Sequence, residues 1–360
     1  MKRSWLWMLV IMALTLVGAV GVLAQDDMVD TVGLGGNDDL GAFLVGGESG
    51  MTLYTFTRDE PGVSNCVDQC ATNWPPLTVD EGVQPTLAEG ISGRLGVIAR
   101  ADGTRQVTYN GWPLYFWVND AAAGDATGQG ANDVWFVAAM PTVGLGGNDS
   151  LGAFLVGANG MTLYTLTRDE GGVSVCYDQC ATNWPPLTVE DADALSVQPG
   201  IPGEFGVAER TDGSQQVTYN GWPLYAWIND AAPGDSTGHL VNDVWFAAAP
   251  PTLSAMDSEE FGQILVGPDG MALYTFANDT EGTSACVDGC AVAWPPLTVG
   301  ADGGPVAAEG LMGEVGTIER ADGSMQVTYN GMPLYGWIND VIPGDTTGHN
   351  FREVWSIAVP

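Results

Sequence analysis

The stretch GMTLYTFTRDEPG at residues 50–62 is echoed 61 residues later by GWPLYFWVNDAAAG at 111–124. Both carry Gly-x-x-Leu-Tyr, further apolar positions, and then an aspartate. The same offset links Tyr164 to Tyr225 and Tyr274 to Tyr335. A longer period encloses this one. Tyr54, Tyr164 and Tyr274 stand 110 residues apart, as do Cys66, Cys176 and Cys286, and Trp135, Trp245 and Trp355. Self-similarity at fixed spacing marks a repeat architecture. The pattern predicts three units, each built of two related halves packed with pseudo-twofold symmetry.

Within a unit the segments MTLYTF, LGVIAR, RQVTYN, PLYFWV and VWFVAA are short and rich in β-branched and aromatic residues, which reads as strands. Turn signals separate them. Asp102-Gly103 forms a hairpin turn, repeated at Asp212-Gly213 and Asp322-Gly323, and Asn110-Gly111 precedes the next strand. No helical period runs beyond about two turns. Roughly seven strands per unit predict an all-β chain of three tandem small β-barrel or β-sandwich domains. The expected domains are 31–140, 142–250 and 252–360, with a propeller of six half-units as the rival. The glycine-rich stretches TVGLGGNDD at 31–39 and TVGLGGNDS at 142–150 read as joints. They are short enough to keep neighbouring units in contact.

The chain opens MKRSWLWMLVIMALTLVGAVGVLAQDD. Lys2 and Arg3 followed by an apolar run to Ala24 read as a signal peptide, residues 1–24, cut after Ala24. A retained anchor is the competing reading, because the run nears the length of a spanning helix. Cleavage leaves eight arginines against 44 acidic residues, a formal charge of −36. Such a polyanion repels nucleic acid and anionic membrane, where binding rests on Lys and Arg. The expectation is an extracytoplasmic protein, secreted or at the cell surface, with no nucleic-acid partner and no stable membrane span.

All six cysteines fall in C-x3-C pairs, within CVDQCATNWPPL, CYDQCATNWPPL and CVDGCAVAWPPL. Residues four apart in a tight loop have Cα atoms roughly 6 Å apart, inside disulfide range, and an exported chain is oxidised. The reading is three local staples, Cys66–Cys70, Cys176–Cys180 and Cys286–Cys290. A labile redox disulfide is the rival. Haem, thioredoxin-like and zinc sites fit poorly, since the spacing is wrong and the first unit holds no histidine.

The loop NDAAAGDATGQGANDVW at 119–135 and its two counterparts gather oxygen ligands. Asp120, Asp125, Asp230, Asp235, Asp340 and Asp345 are candidate Ca²⁺ ligands, against the plainer reading of turn-formers. Trp74, Trp184 and Trp294, each before Pro-Pro, are candidate ligand-contacting aromatics, against the reading of core plugs. His239 and His349 occupy the position of Gln129, which suits hydrogen bonding better than base catalysis. Acidic pairs are too abundant to single out a glycosidase dyad.

The motifs G-M-T-L-Y-T-F-x-x-D, C-x-x-x-C-A-x-x-W-P-P-L, A-D-G-x-x-Q-V-T-Y-N-G-x-P-L-Y and P-G-D-x-T-G resemble those of the bacterial secreted repeat of unknown function family. The resemblance covers nearly all of 42–360 and implies export, with no catalytic residues to carry over. Its leucine-tyrosine motifs fall at Leu53-Tyr54, Leu114-Tyr115 and their repeats. The chain lacks a lipid-attachment cysteine, and has Trp112, Trp222 or Met332 where relatives often have histidine.

The residues therefore point to a secreted or surface binding or structural repeat protein. Its partner would be a surface protein, a polysaccharide or a small ligand. A redox accessory using the disulfides or a bound cofactor, and a polysaccharide hydrolase, are the alternatives.

Overall fold

A computed structural model describes residues 31–360. The signal-peptide reading lies outside the described residues. The described chain is mostly β, in three tandem clusters of small antiparallel sheets.

The first unit contains β1 Val32–Asn37, β2 Gly41–Gly46, β3 Tyr54–Phe56, helix α1 Gln69–Asn73, β4 Leu95–Ala99, β5 Arg105–Tyr109, β6 Trp112–Pro113 and β7 Trp135–Val137. Three sheets result: the hairpin β1–β2, the pair β3–β7, and β4–β5–β6. The second and third units repeat this order and each gains a two-residue strand, Thr188–Val189 and Thr298–Val299. Among the described residues the sheets are consistent with tandem sandwiches, and none closes into a barrel.

The Leu-Tyr motif explains the layering. Successive side chains of an extended segment point to opposite faces. Leu53 and Leu114 enter one core with Val32, Leu44 and Val107. Their neighbours Tyr54 and Tyr115 enter a second core with Cys66, Trp74 and Trp135. The two Leu-Tyr segments lie antiparallel and bridge at the tyrosines. Tyr54 N donates to Tyr115 O at 2.8 Å, and Tyr115 N to Tyr54 O at 3.0 Å. The halves inferred from the 61-residue echo thus meet at this exchange.

Turn chemistry sets the registers. Asn110 (φ 49°) and Gly111 (φ 84°) are both left-handed, as a two-residue I′ hairpin requires, and Tyr109 pairs with Trp112 across them. Asp102 Oδ1 accepts from Thr104 N at 3.0 Å and closes the β4–β5 turn.

Two sequence readings need correction. The stretch TVGLGGNDD is not a joint. Val32–Asn37 pairs with Gly41–Gly46 along its length, and Asn37 Oδ1 caps the turn by accepting from Leu40 N at 2.9 Å. Its glycines keep β1 flat against its partner, because a β-carbon at Gly36 would sit 2.5 Å from the Gly41 carbonyl oxygen. The segment PLYFWV is not a full strand either. Its regular ladder pairing stops at Pro113, and beyond an isolated bridge at Tyr115 it is held by single backbone bonds, Phe116 N to Pro75 O at 2.8 Å and Val118 N to Asn73 O at 3.2 Å.

Neighbouring units touch. Repeat one meets repeat two where Gly90 lies under Pro233, and repeat two meets repeat three where Gly200 lies under Pro343 and beside Asp269. Ala301 N and Asp302 N donate to Asp149 O and Ser150 O at 2.7 and 2.9 Å. Repeat one also reaches repeat three. Arg94 Nη2 donates to Asp340 O at 2.8 Å, and Nη1 lies 3.4 Å from Asp269 Oδ2.

Candidate functional site

Each unit centres on a crossed exchange. Tyr54, from the first half, donates its hydroxyl to Asp120 Oδ2 in the second half at 2.7 Å. Tyr115, from the second half, donates to Asp59 Oδ2 in the first at 2.7 Å. The same pairs recur as Tyr164–Asp230 and Tyr225–Asp169, and as Tyr274–Asp340 and Tyr335–Asp279, at 2.6–2.8 Å. The six tyrosines are fully buried. Burial, reinforced by the facing carboxylate, pushes their hydroxyls well above the ordinary phenol range; Tyr335 rises to about 12. Burial also pushes Asp59, Asp169 and Asp279 above the usual carboxylate range, against the hydrogen bonds they accept. Asp340 is driven up to about 6 by burial.

The carboxylates are occupied on both oxygens. Asp120 Oδ1 accepts from Thr127 N and Oγ1 at 2.9 and 2.6 Å. Asp59 Oδ1 accepts from Asn65 N at 2.6 Å. This explains why each half ends in Asp, and why Thr-Gly follows the P-G-D segment. The glycine is required because a β-carbon at Gly128 would stand 2.6 Å from the Trp74 ring. The threonine supplies both donors to Asp120.

A guanidinium joins the exchange to the cysteine loop. Arg100 Nη1 donates to Ser64 Oγ and to Gln106 Oε1, the latter at 2.6 Å, while Nη2 donates to Cys66 O at 2.7 Å. Ser64 Oγ lies 2.8 Å from Tyr115 Oη. Arg210 and Arg320 do the same in their units. The tie spans residues 34 apart, and sequence reasoning missed it. The arginine that precedes each Asp-Gly turn was the available signal, at positions 100, 210 and 320.

The cysteines pair locally, Cys66 with Cys70, Cys176 with Cys180 and Cys286 with Cys290, with Cα separations of 5.2 Å. Cys66 is fully buried in the aromatic core. Each ring holds the short helix that leads into Trp-Pro-Pro.

Trp74 is 5% exposed. Its indole lies between Trp135, 3.9 Å away and nearly parallel, and Trp117, at 4.1 Å. Phe56 extends the pile by stacking on Trp135 at 4.3 Å. Trp184 and Trp294 are sandwiched in the same way. With both faces covered, these rings plug the core and offer no open face to a ligand.

The acidic loop positions separate into two classes. Asp120, Asp230 and Asp340 are buried partners of tyrosine. Asp125, Asp235 and Asp345 close turns: Asp125 Oδ2 accepts from Ala121 N and Ala122 N at 2.9 Å, and its counterparts do likewise. The carboxylates of each pair therefore serve the loop. Among the described residues no group of three or more His, Cys, Asp or Glu is placed to hold a metal ion.

Gln129, His239 and His349 share one task. Gln129 Oε1 accepts from Val137 N at 2.8 Å, and His239 and His349 accept from Ala247 N and Ile357 N through Nδ1 at 3.2 Å. Burial holds His239 below its ordinary pKa, which keeps the accepting nitrogen free of a proton.

Among the described residues no helix is long and apolar enough to cross a membrane. The model of a family described as a secreted repeat of unknown function matches residues 37–78, 96–139, 147–188, 206–249, 256–298 and 316–359. Each match is one half-unit with its own Tyr and Asp, so the family's unit is the half and the folded unit is a pair. No curated protein and no solved structure matches the chain. Six matches spread over most of its length establish that this chain belongs to the secreted-repeat family of unknown function.

Proposed function

We propose that the protein acts outside the cytoplasm as a non-catalytic binding and structural scaffold, with 31–140, 142–250 and 252–360 as its three domains. The observation that carries this reading is where the repeated polar signature goes. Tyrosine, aspartate, arginine and tryptophan are spent inside each unit, on one another. A general acid or nucleophile must reach substrate, whereas these groups face neighbouring side chains. What the repeats present outward is acidic, varied surface on a braced frame. Three linked units multiply a weak contact when their geometry permits simultaneous engagement.

The test uses the full purified chain with disulfides intact. Isolated cell envelopes and a panel of polysaccharides are titrated for binding, and the same mixtures are assayed for released reducing sugar. Saturable binding without product, unchanged after mild thiol treatment, is the expected result. Sugar release would install a hydrolase instead. Reversible thiol formation coupled to a partner's oxidation would install the redox accessory.

A further inference from the structure

Departures from the repeat pattern point to a ligand site between the first two units. A cleft of about 450 Å³ opens there, within the range of small-molecule pockets. Its walls come from Phe56, Trp112, Met140 and Pro141 on one side, and from Val197 and Pro199 on the other. It opens to solvent beside the exposed Thr57.

The chain has 44 acidic residues, yet no Asp, Glu, Lys or Arg lines this cleft. Its one ionisable lining group, Tyr109, donates its hydroxyl to Ser92 O at 2.6 Å and is buried. Two polar atoms at the rim are also engaged locally: Asn110 Oδ1 accepts from Arg94 N, and Ser196 Oγ from Thr142 N, both at 2.9 Å.

The apolar character arises where the first and second units differ from their counterparts. The position of Pro199 is Glu89 in the first unit and Glu309 in the third. The position of Met140 is Pro250 and Pro360 in the others, and that of Phe56 is Leu166 in the second. At the joint between units two and three, the corresponding position would therefore carry the carboxylate of Glu309. At this joint, unlike the next, a charge is absent and a methionine and a phenylalanine stand in place of proline and leucine. Methionine adapts its shape to apolar ligands, and a partly exposed indole offers a stacking face.

We propose that this cleft binds an uncharged, largely apolar small molecule bearing a ring that packs on Trp112. This rests on the binding reading above and names the ligand class for one of its surfaces. Burial of such a ligand is driven by apolar area removed from water, and it needs no cationic partner from a chain with 10 Lys and Arg against 44 acidic residues.

The test titrates the uncharged fluorescent probe N-phenyl-1-naphthylamine into the full chain and reads the rise in its emission. One saturable site per chain is expected. Trp112→Ala and Pro199→Glu each weaken it by about tenfold. Pro199→Glu installs the residue that the first and third units carry there, so it is compatible with the fold. Trp222→Ala, at the equivalent position of the second unit, leaves the site intact. Circular dichroism of each variant confirms folding. A linear, non-saturating rise, or equal losses in Trp112→Ala and Trp222→Ala, overturns the proposal. Failure of the parent reading shows elsewhere, as turnover or disulfide cycling with the probe site intact. Failure of this one shows as a missing site in a chain that still binds envelope without turnover.

Discussion

The interior and the seams of this molecule follow different rules. Inside each unit the crossed Tyr–Asp pairs, the sandwiched Trp and the arginine tie are the same three times over. At the seams the repeats diverge. Arg94 becomes Glu204 and Glu314, Ala123 becomes Pro233 and Pro343, and Glu89 becomes Pro199. Contacts account for the first two exchanges. Arg94 is the member that faces acidic Asp269 of another repeat. Pro233 and Pro343 cover Gly90 and Gly200 of the preceding repeat, whereas Ala123 lies 3.4 Å from the β-carbon position of Gly50 in its own repeat. Residues that fold the unit are held constant, and residues that give each unit its place, or its ligand, vary.

The largest effect should come from the interior. Trp74→Ala removes the middle of the stack and is expected to cost the first unit about 3–5 kcal/mol, read as an early, separate transition in denaturant. A loss below about 1 kcal/mol would show that the stack is ornament rather than core. Next comes Tyr115→Phe, which leaves buried Asp59 short of a donor and should cost about 1–3 kcal/mol. Tyr225→Phe and Tyr335→Phe should cost the same within error, since their contacts are the same; unequal losses would break the claim of a common interior.

The pH response sharpens the comparison further. Burial raises Asp59, Asp169, Asp279 and Asp340 in the folded chain. The folded state therefore holds more protons than the unfolded one between the ordinary carboxylate pKa and the raised value. Stability is then expected to fall as pH climbs through this window, up to about 6 for Asp340. Melting temperature should rise on mild acidification from pH 6 towards 4, by an effect on the order of 1–2 kcal/mol. Asp340→Asn should flatten the upper part of that slope, and a melting temperature that drops over this range would refute the assignment.

The smallest effect belongs to the seam. Arg94→Glu, which restores the residue of the other repeats, sets like charges against each other across a partly exposed contact. It should cost under about 1 kcal/mol, and less in high salt. A loss as large as that of Tyr115→Phe would mean that the contact between repeats one and three carries far more than its geometry implies.

Much of this was legible in the chain. The periods of 110 and 61 residues reveal three units of two halves, because a repeat is a copying pattern visible without coordinates. The hairpins at Asp-Gly and Asn-Gly follow from local dihedral preference, and the C-x3-C pairs from the short reach of a five-residue loop. Glycine-rich Val32–Asn37 misled, since strand formation there depends on pairing with Gly41–Gly46 rather than on propensity. Whether Trp74 faces a ligand or a core, and whether Asp120 binds a cation or a tyrosine, was likewise undecided. Those answers depend on residues 43 to 66 positions away, Trp117, Trp135 and Tyr54. By itself, then, the sequence determined the repeat, the β class and the local staples, all set by near neighbours along the chain. Only the tertiary structure decided which half each tyrosine answers to and which joint is apolar, because burial and partnership are properties of segments brought together by folding.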